Sequence, residues 1–380
     1  MVRGLCRALC FCGSFFYNLP SSSFRINTLP YRQTIALDAM GGDHGPDVIV
    51  PAASLALQEL PGVHFLLFGD ERRIQPILAR YPLLANAATI RHTEKVIGNH
   101  EKPSQAIRSG KDSSMRLAIE AVKNGEAQSI VSGGNTGALM AMSKLILKSL
   151  PGISRPAIAA VFPTMRGKTV MLDLGANILC DAEILMQFAL LGAVYARTQM
   201  GVEKPTVGLL NIGSEDMKGH DQLRAAAAIL SSVEFTGKYH GFVEGNDIAE
   251  GTVDVVVTDG FTGNVALKVA EGVAHLMGDK MKEAFTSSLI TKLGAMLAYP
   301  ALRKMKKQMD SRYYNGGIFM GLDGICVKSH GGMDEIGFAN AIKVAAGLVE
   351  QNFNKRVAAE LEHLMSQESF ITSLSAQANS

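Results

Sequence analysis

Three glycine-flanked groups of side chains in this sequence carry the residue types that catalysis needs. The stretch LDAMGGDHGP (37–46) leaves an apolar run and places Asp38 and Asp43 around Gly41 and Gly42, with His44 next. The glycines permit positive φ and close backbone approach, the aspartates accept hydrogen bonds from turn amides, and a histidine can give a proton to a leaving group. Read conservatively, each aspartate only caps a tight turn. The stretch SGGNTG (132–137) enters a long helical pattern, with Asn135 or Thr136 as N-cap. Gly133, Gly134 and Gly137 leave amides bare at a positive helix end, which suits an anion such as phosphate. Glycine followed by an Asn cap also starts many helices that bind nothing. Lys218, after GSEDM, is a further candidate to protonate a leaving group or offset negative charge, or else a solvated loop lysine.

Other chemistries lack their residues. There is no G-x-G-x-x-G, and GKT at 167–169 has Phe162 where a P-loop needs its leading glycine, so nucleotide binding is not indicated. H-E-x-x-H and G-x-S-x-G are absent, and neither Cys180 nor Cys326 sits in a glycine turn. A covalent acyl-enzyme therefore has no evident nucleophile, and in an acyl transfer the acceptor would attack directly. A net charge of +2 argues against a nucleic-acid binder. Cys6, Cys10 and Cys12 crowd the start, no zinc spacing occurs, and a reduced cytoplasmic setting is the simplest.

Such turns need a scaffold that lines them up. Apolar runs at 35–39, 63–68, 129–131, 169–174, 207–212 and 253–257 end in LDAMGGDHGP, LFGDE, VSGGNTG, LDLGAN, LNIGSED and VTDGFTGN, and helical patterns follow. This alternation predicts an α/β fold, a mainly parallel sheet with helices on both faces, and every one of these turns at one carboxyl edge, outlining a cleft. With 380 residues, 47% hydrophobic, the chain can bury a full core. Over 286–312 apolar residues recur at helical spacing, interrupted by Pro300, while Lys292, Arg303, Lys304, Lys306, Lys307 and Arg312 are balanced only by Asp310. That segment reads as a solvated helical hairpin at a dimer edge or as a surface for anionic lipid or an acidic protein. The closing helical pattern, 335–365, reads as a structural helix. Residues 1–33, basic and without an acidic residue, read as an unstructured extension or a targeting segment, and 367–380 as a disordered tail. No stretch reaches the roughly 18 uninterrupted apolar residues of a membrane span.

In this order and spacing, IALDAMGGDHGP, SGGNTGALM, LDLGAN, LLNIGSEDMKG, VVTDGFTGNVALK and KSHGG resemble the PlsX family of bacterial phosphate acyltransferases. The resemblance implies a homodimeric, cytoplasmic enzyme of phospholipid synthesis, and the basic amphipathic segment adds the expectation of peripheral membrane association. Such enzymes move a fatty acyl chain from acyl carrier protein to inorganic phosphate, and a membrane glycerol-3-phosphate acyltransferase uses the acyl phosphate. The match runs from about Thr34 to Gln351 and implies a fold like those of phosphate acetyltransferases and isocitrate-dehydrogenase-like enzymes; the α/β domain is read as 34–366, with a projecting amphipathic helical segment at 286–321. Two departures stand out. The first 33 residues have no counterpart, and after LDLGAN, where the family commonly has Val-Asp-Cys, this chain has Ile178, Leu179 and Cys180, with Asp181 nearby.

The candidates for the reacting centre are Asp43, His44, Lys218 and Asn264. Substrate is expected against Asp38, Gly41, Gly42, Ser132, Gly133, Gly134, Asn135, Thr136, Gly137, Asp173, Asn177, Asn211, Asp259, Gly260, Thr262 and Gly263. Phosphate would lie on the amides of the Gly133 to Gly137 turn while the thioester carbonyl meets donors from NIGSEDMKG or DGFTGN. Since carboxylates repel phosphate, Asp38, Asp43, Asp173 and Asp259 are expected to fix turns through hydrogen bonds, with a divalent cation as the alternative. No cofactor and no metal is assigned. Leu289, Leu293, Leu297, Arg303, Lys304, Lys306 and Lys307 would contact an anionic membrane surface. An oxidoreductase on a related fold and a non-catalytic lipid- or carrier-binding scaffold are the competing functions.

Overall fold

The computed structural model describes residues 33–367, apart from the side chains of 306–309 and 311. The expectations for the N-terminal extension and the tail, beyond Gln33 and Gln367, lie outside the described residues. Eleven strands among the described residues form one sheet. They are β1 (Gln33–Asp38), β2 (Val63–Gly69), β3 (Ala88–His92), β4 (Ser129–Ser132), β5 (Ala157–Thr164), β6 (Gly167–Leu172), β7 (Thr206–Leu210), β8 (Lys238–Val243), β9 (Val255–Val257), β10 (Gly317–Met320) and β11 (Ile325–Lys328). Their order is β3-β2-β1-β4-β11-β10-β5-β6-β9-β7-β8.

The six apolar runs of the sequence are β1, β2, β4, β6, β7 and β9. They are apolar without alternation because both faces are covered. In β1, Ile35 and Leu37 join one core cluster and Ala36 a second; in β6, Val170 and Leu172 join the first and Met171 a third. Each fully buried side chain of this size contributes about 1.5–3 kcal/mol. The first cluster runs along the whole sheet, while the opposite face carries the other two, with Ile158 of β5 touching both.

The single carboxyl edge expected from the sequence is not what forms. Strands β3, β2, β1, β4 and β11 are parallel. Strand β10 is antiparallel to both β11 and β5, and β5 is antiparallel to β6. Beyond them β6, β9, β7 and β8 are parallel again. Three reversals make β6, β7 and β9 point opposite to β1, β2 and β4, so the glycine turns leave through opposite edges. The reason is long-range: β5 and β10 enter the middle of the sheet, and a local rhythm of run, turn and helix carries no information about the polarity of a distant pair.

The helix Gly260–Thr286, after β9, has 27 residues and so spans about 40 Å. Only Gly260 and Gly263 of it are buried, and Val265, Val269, Val273 and Met277, one turn apart, are at least half exposed. Two short helices follow, Leu289–Leu297 and Tyr299–Met309, the second with Pro300 in its first turn, where a missing N–H is tolerated. Leu289 and Leu297 are 84% and 80% exposed, and Leu293, Arg303 and Lys304 are exposed too; the side chains of Lys306 and Lys307 lie outside the described residues. Arg312 does not belong to that basic surface. It binds Asp310 and Asp334, the latter at 2.9 Å, and fastens the base of the helical pair. The helical part of 286–321 ends with the turn Ser311–Tyr314, and Gly317–Met320 is strand β10. The closing pattern is two helices, Glu335–Glu350 and Phe353–Met365, parted at Asn352 with φ 51°. No helix among the described residues is long and apolar enough to cross a membrane.

Candidate active site

Strands β1, β4 and β11 are adjacent and parallel, and their exits form a first constellation. Asp38, the last residue of β1, is buried and accepts from Ser114 Oγ at 2.6 Å and Ser132 Oγ at 2.7 Å. Burial pushes its carboxyl above the usual range, against the pull of these two hydroxyls and of Lys328. The turn beside it admits glycine alone. A Cβ on Gly41 would stand 2.6 Å from Asp38 Oδ2, and Gly42, at φ 85°, would bring one to 2.9 Å from the Gly331 carbonyl. Asn135 proves to be the cap of the helix Thr136–Ile146. Its Oδ1 accepts from the Ala138 amide at 3.0 Å, and its Nδ2 donates to the carbonyls of Gly98, Asn99 and Glu101. Thr136 and Gly137, both exposed, are the first two residues of that helix, so their amides have no intrahelical acceptor. The Gly134 amide, expected from SGGNTG to be bare, instead donates to Ser132 Oγ at 3.0 Å.

Asp43 and His44 are exposed on the same turn. The Asp43 amide donates to the Gly331 carbonyl at 2.9 Å, and its Oδ1 accepts from Asn99 Nδ2 at 2.9 Å. His44 lines a small pocket with Gly41, Gly133, His330 and Gly331 and with the apolar Val48, Ile49 and Phe338. His330 Nδ1 accepts from the Gly332 amide at 3.2 Å, which puts the proton of the neutral ring on Nε2. Lys328, the last residue of β11, donates from Nζ to the carbonyls of Gly133, at 3.2 Å, and Ser329. Burial holds its pKa down to about 8 although Asp38 and Asp43 favour the charge. Reading the sequence passes over Lys328, His330, Ser114 and Asn99. KSHGG is the signal for the first two; Ser114 and Asn99 lie 76 and 56 residues from the aspartates they meet, in polar sequence without a pattern.

A second constellation forms where β6, β9 and β7 end. Asp173 is fully buried, and its Oδ1 accepts from the amides of Ile158, Gly175 and Ala176 while Oδ2 accepts from Asn177 N at 2.7 Å and Nδ2 at 2.9 Å. Burial raises this carboxyl too, and the same hydrogen bonds oppose the rise. Asp259 caps the helix Gly260–Thr286 by accepting from Thr262 N at 2.9 Å and Oγ1 at 2.8 Å. Gly260 and Gly263 pass so close that a Cβ on the first would lie 2.8 Å from Asp173 Oδ2 and one on the second would collide with the Asp173 carbonyl. Asn264 stands beside Gly175. Asn211 Nδ2 donates to the Lys218 carbonyl at 3.1 Å, and the Lys218 side chain is exposed. Asp181 caps the helix Ala182–Gln199 through the Ile184 amide. Burial, then the charges of Asp173 and Asp259, pushes the Cys180 thiol up to about 12, and burial does the same to Cys326, so neither is poised as a thiolate.

No side-chain hydrogen bond or ion pair among the described residues joins the two constellations. The fold gathers Asp38, Gly41 to His44 and Ser132 to Gly137 in one, and Asp173, Asn177, Asn211, Lys218, Asp259, Gly260 and Thr262 to Asn264 around the other. The two helices that begin in them pack on the same face of the sheet, Ala138 and Leu139 in one of its clusters and Ala266 and Leu267 against the other.

A family model described as "Fatty acid synthesis protein" matches residues 33–356. A phosphate acyltransferase of Rhodospirillum centenum is 57% identical over 333 residues, 88% of this chain and 94% of that protein. One of Caulobacter vibrioides is 54% identical over 330 residues, 87% of this chain and 92% of that protein. Among solved structures, EutD phosphotransacetylase of Staphylococcus aureus superposes with a TM-score of 0.56 at 15% identity, covering 84% of this chain and 96% of that one, a likeness of fold. With more than half of the aligned residues identical across nearly the full length of these relatives, the chain belongs to the phosphate acyltransferase family and is an acyltransferase of fatty-acid and phospholipid synthesis.

Proposed function

We propose that this acyltransferase moves a fatty acyl chain from acyl-acyl-carrier-protein to inorganic phosphate at the constellation of β1, β4 and β11. The observation that carries the reading is the Asn135-capped helix start, with two bare amides, beside a pocket holding His44 and His330. Phosphate held there attacks the thioester carbonyl through one oxygen; a C–O bond forms, the C–S bond breaks, and the thiolate takes a proton from His44 or His330, the acid groups of that pocket. Positioning supplies most of the rate. The decisive experiment supplies acyl-carrier thioester and phosphate without nicotinamide and traps acyl phosphate. Absence of acyl phosphate from folded protein would overturn this choice of donor and acceptor.

Two associations accompany it. The exposed apolar stripe along the helix Gly260–Thr286 supports a homodimer, to be measured by sedimentation equilibrium. The exposed Leu289, Leu293 and Leu297 near Arg303 and Lys304 support reversible docking on an anionic membrane, where a labile, amphiphilic acyl phosphate can pass to a membrane glycerol-3-phosphate acyltransferase. Each basic contact with anionic lipid is worth about 1 kcal/mol. Salt-sensitive co-sedimentation with anionic liposomes should be lost when Leu293, Lys304, Lys306 and Lys307 are all changed to Glu. Equal binding by both proteins would exclude this surface.

A further inference from the structure

Lys328 is a lysine that the local structure does not require to be charged. Its Nζ holds two backbone carbonyls, those of Gly133 and Ser329, a task that a neutral amide could perform. The ion pairs of the described residues do not include it. A largely buried ammonium without a carboxylate partner costs free energy. That cost is informative because of what surrounds the site. Gly133, which Lys328 grips, precedes the bare helix amides and is itself part of the pocket with His44 and His330. Asp38 and Asp43, the charges nearest to Lys328, would by themselves repel an arriving phosphate.

We infer that Lys328 supplies the positive charge that holds inorganic phosphate at the start of the helix Thr136–Ile146, offsetting Asp38 and Asp43, and that its grip on Gly133 positions the turn. The inference rests on the phosphate-binding reading of this constellation and adds the residue that makes the site electrostatically tenable. An ammonium with three N–H groups and two described acceptors retains one donor for the ligand. Before phosphate binds, the unpartnered charge is held down by burial; an incoming dianion stabilises it. Lysine at this place is therefore a substrate-dependent charge.

The sign of the pH effect follows from the direction of the shift. A lysine held down to about 8 is charged below that pH and neutral above it. The wild-type enzyme should lose kcat/KM for phosphate as pH rises through about 8, since kcat/KM reports groups of the free enzyme. Asp38, Asp43, His44 and His330 are the other titratable groups around it, with Cys326 on its own strand pushed up to about 12. All of them, and the ionisation of phosphate itself, are common to wild type and Lys328→Arg. Arginine stays charged throughout, so the alkaline loss should disappear in that variant alone.

The test combines Lys328→Met, Lys328→Arg and Asn135→Leu with steady-state kinetics in both substrates and thermal melts. Lys328→Met should raise the apparent KM for phosphate by about 10- to 100-fold, the usual loss for a hydrogen bond to a charged group, with KM for the acyl donor unchanged. A rise in Asn135→Leu but not in folded Lys328→Met overturns the inference and leaves the site reading intact. No rise in either folded variant overturns the site reading itself. If Lys328→Met fails to fold, identical alkaline limbs in wild type and Lys328→Arg overturn the inference.

Discussion

The two glycine constellations share a plan and use it differently. Each begins with an aspartate at the end of a strand, Asp38 or just past it Asp173, and each abuts the start of a helix that follows a neighbouring strand. Asp38 accepts from two serine hydroxyls from elsewhere in the chain and from the Met40 amide of its own turn, and the nearby helix amides of Thr136 and Gly137 have no intrahelical acceptor. Asp173 is satisfied by four backbone amides and one side-chain amide, three of those amides from its own turn. A carboxylate that takes most of its donors from remote side chains leaves more of its own turn's amides uncommitted. One that takes them from its own turn makes a structural knot.

The largest expected consequence separates the two aspartates by stability. Asp173→Ala strands five buried donors and should cost about 3–5 kcal/mol, measured by urea unfolding, while Asp38→Ala strands two hydroxyls and the Met40 amide and costs less. Equal losses would mean that the two turns are built alike. Next comes turnover. Asp43→Asn and His44→Ala should lower it by about 10-fold or more with unchanged melts, whereas a comparable loss from Lys218→Ala or Asn264→Ala would bring the second constellation to the reacting carbonyl as well. A melt lowered in step with activity would reduce Asp43 and His44 to turn residues.

A smaller effect contrasts the two helix caps. Asn135→Leu and Asp259→Leu should each cost about 1 kcal/mol of stability, yet only Asn135→Leu should raise the KM for phosphate. If Asp259→Leu raises it equally, the anion is shared or misplaced. The smallest concerns Cys180, whose thiol lies beside the knot. With its pKa pushed up to about 12, Cys180→Ala should keep turnover within about 2-fold, and a complete loss in folded protein would reinstate covalent catalysis.

Some of this site was legible in the chain. Asn135 as a cap, the glycines of GGDHG and the helix start at Thr136 follow from local rules, because capping and turn conformation depend on neighbours a few residues away. Lys328 and His330 were visible only as a motif, and Ser114 and Asn99 not at all, since nothing near them marks a residue that will meet an aspartate dozens of positions away. Among the strands, β3 is an edge with little burial, and β10 and β11 have four residues each, too short for a period to show.

By itself the sequence determined six strands, their helix starts, the lack of a cysteine nucleophile in any glycine turn and membership in a family of acyltransferases. These rest on hydrophobic runs, glycine and caps, whose energetics are local. Tertiary structure alone decided that the strands of one half point against those of the other, that the six turns divide between two edges of the sheet, and that a buried lysine stands among the carboxylates. Strand polarity and charge burial are set by pairings such as β10 with β5 and β11 with β4. Those pairings join segments more than 150 residues apart, over which no local pattern extends.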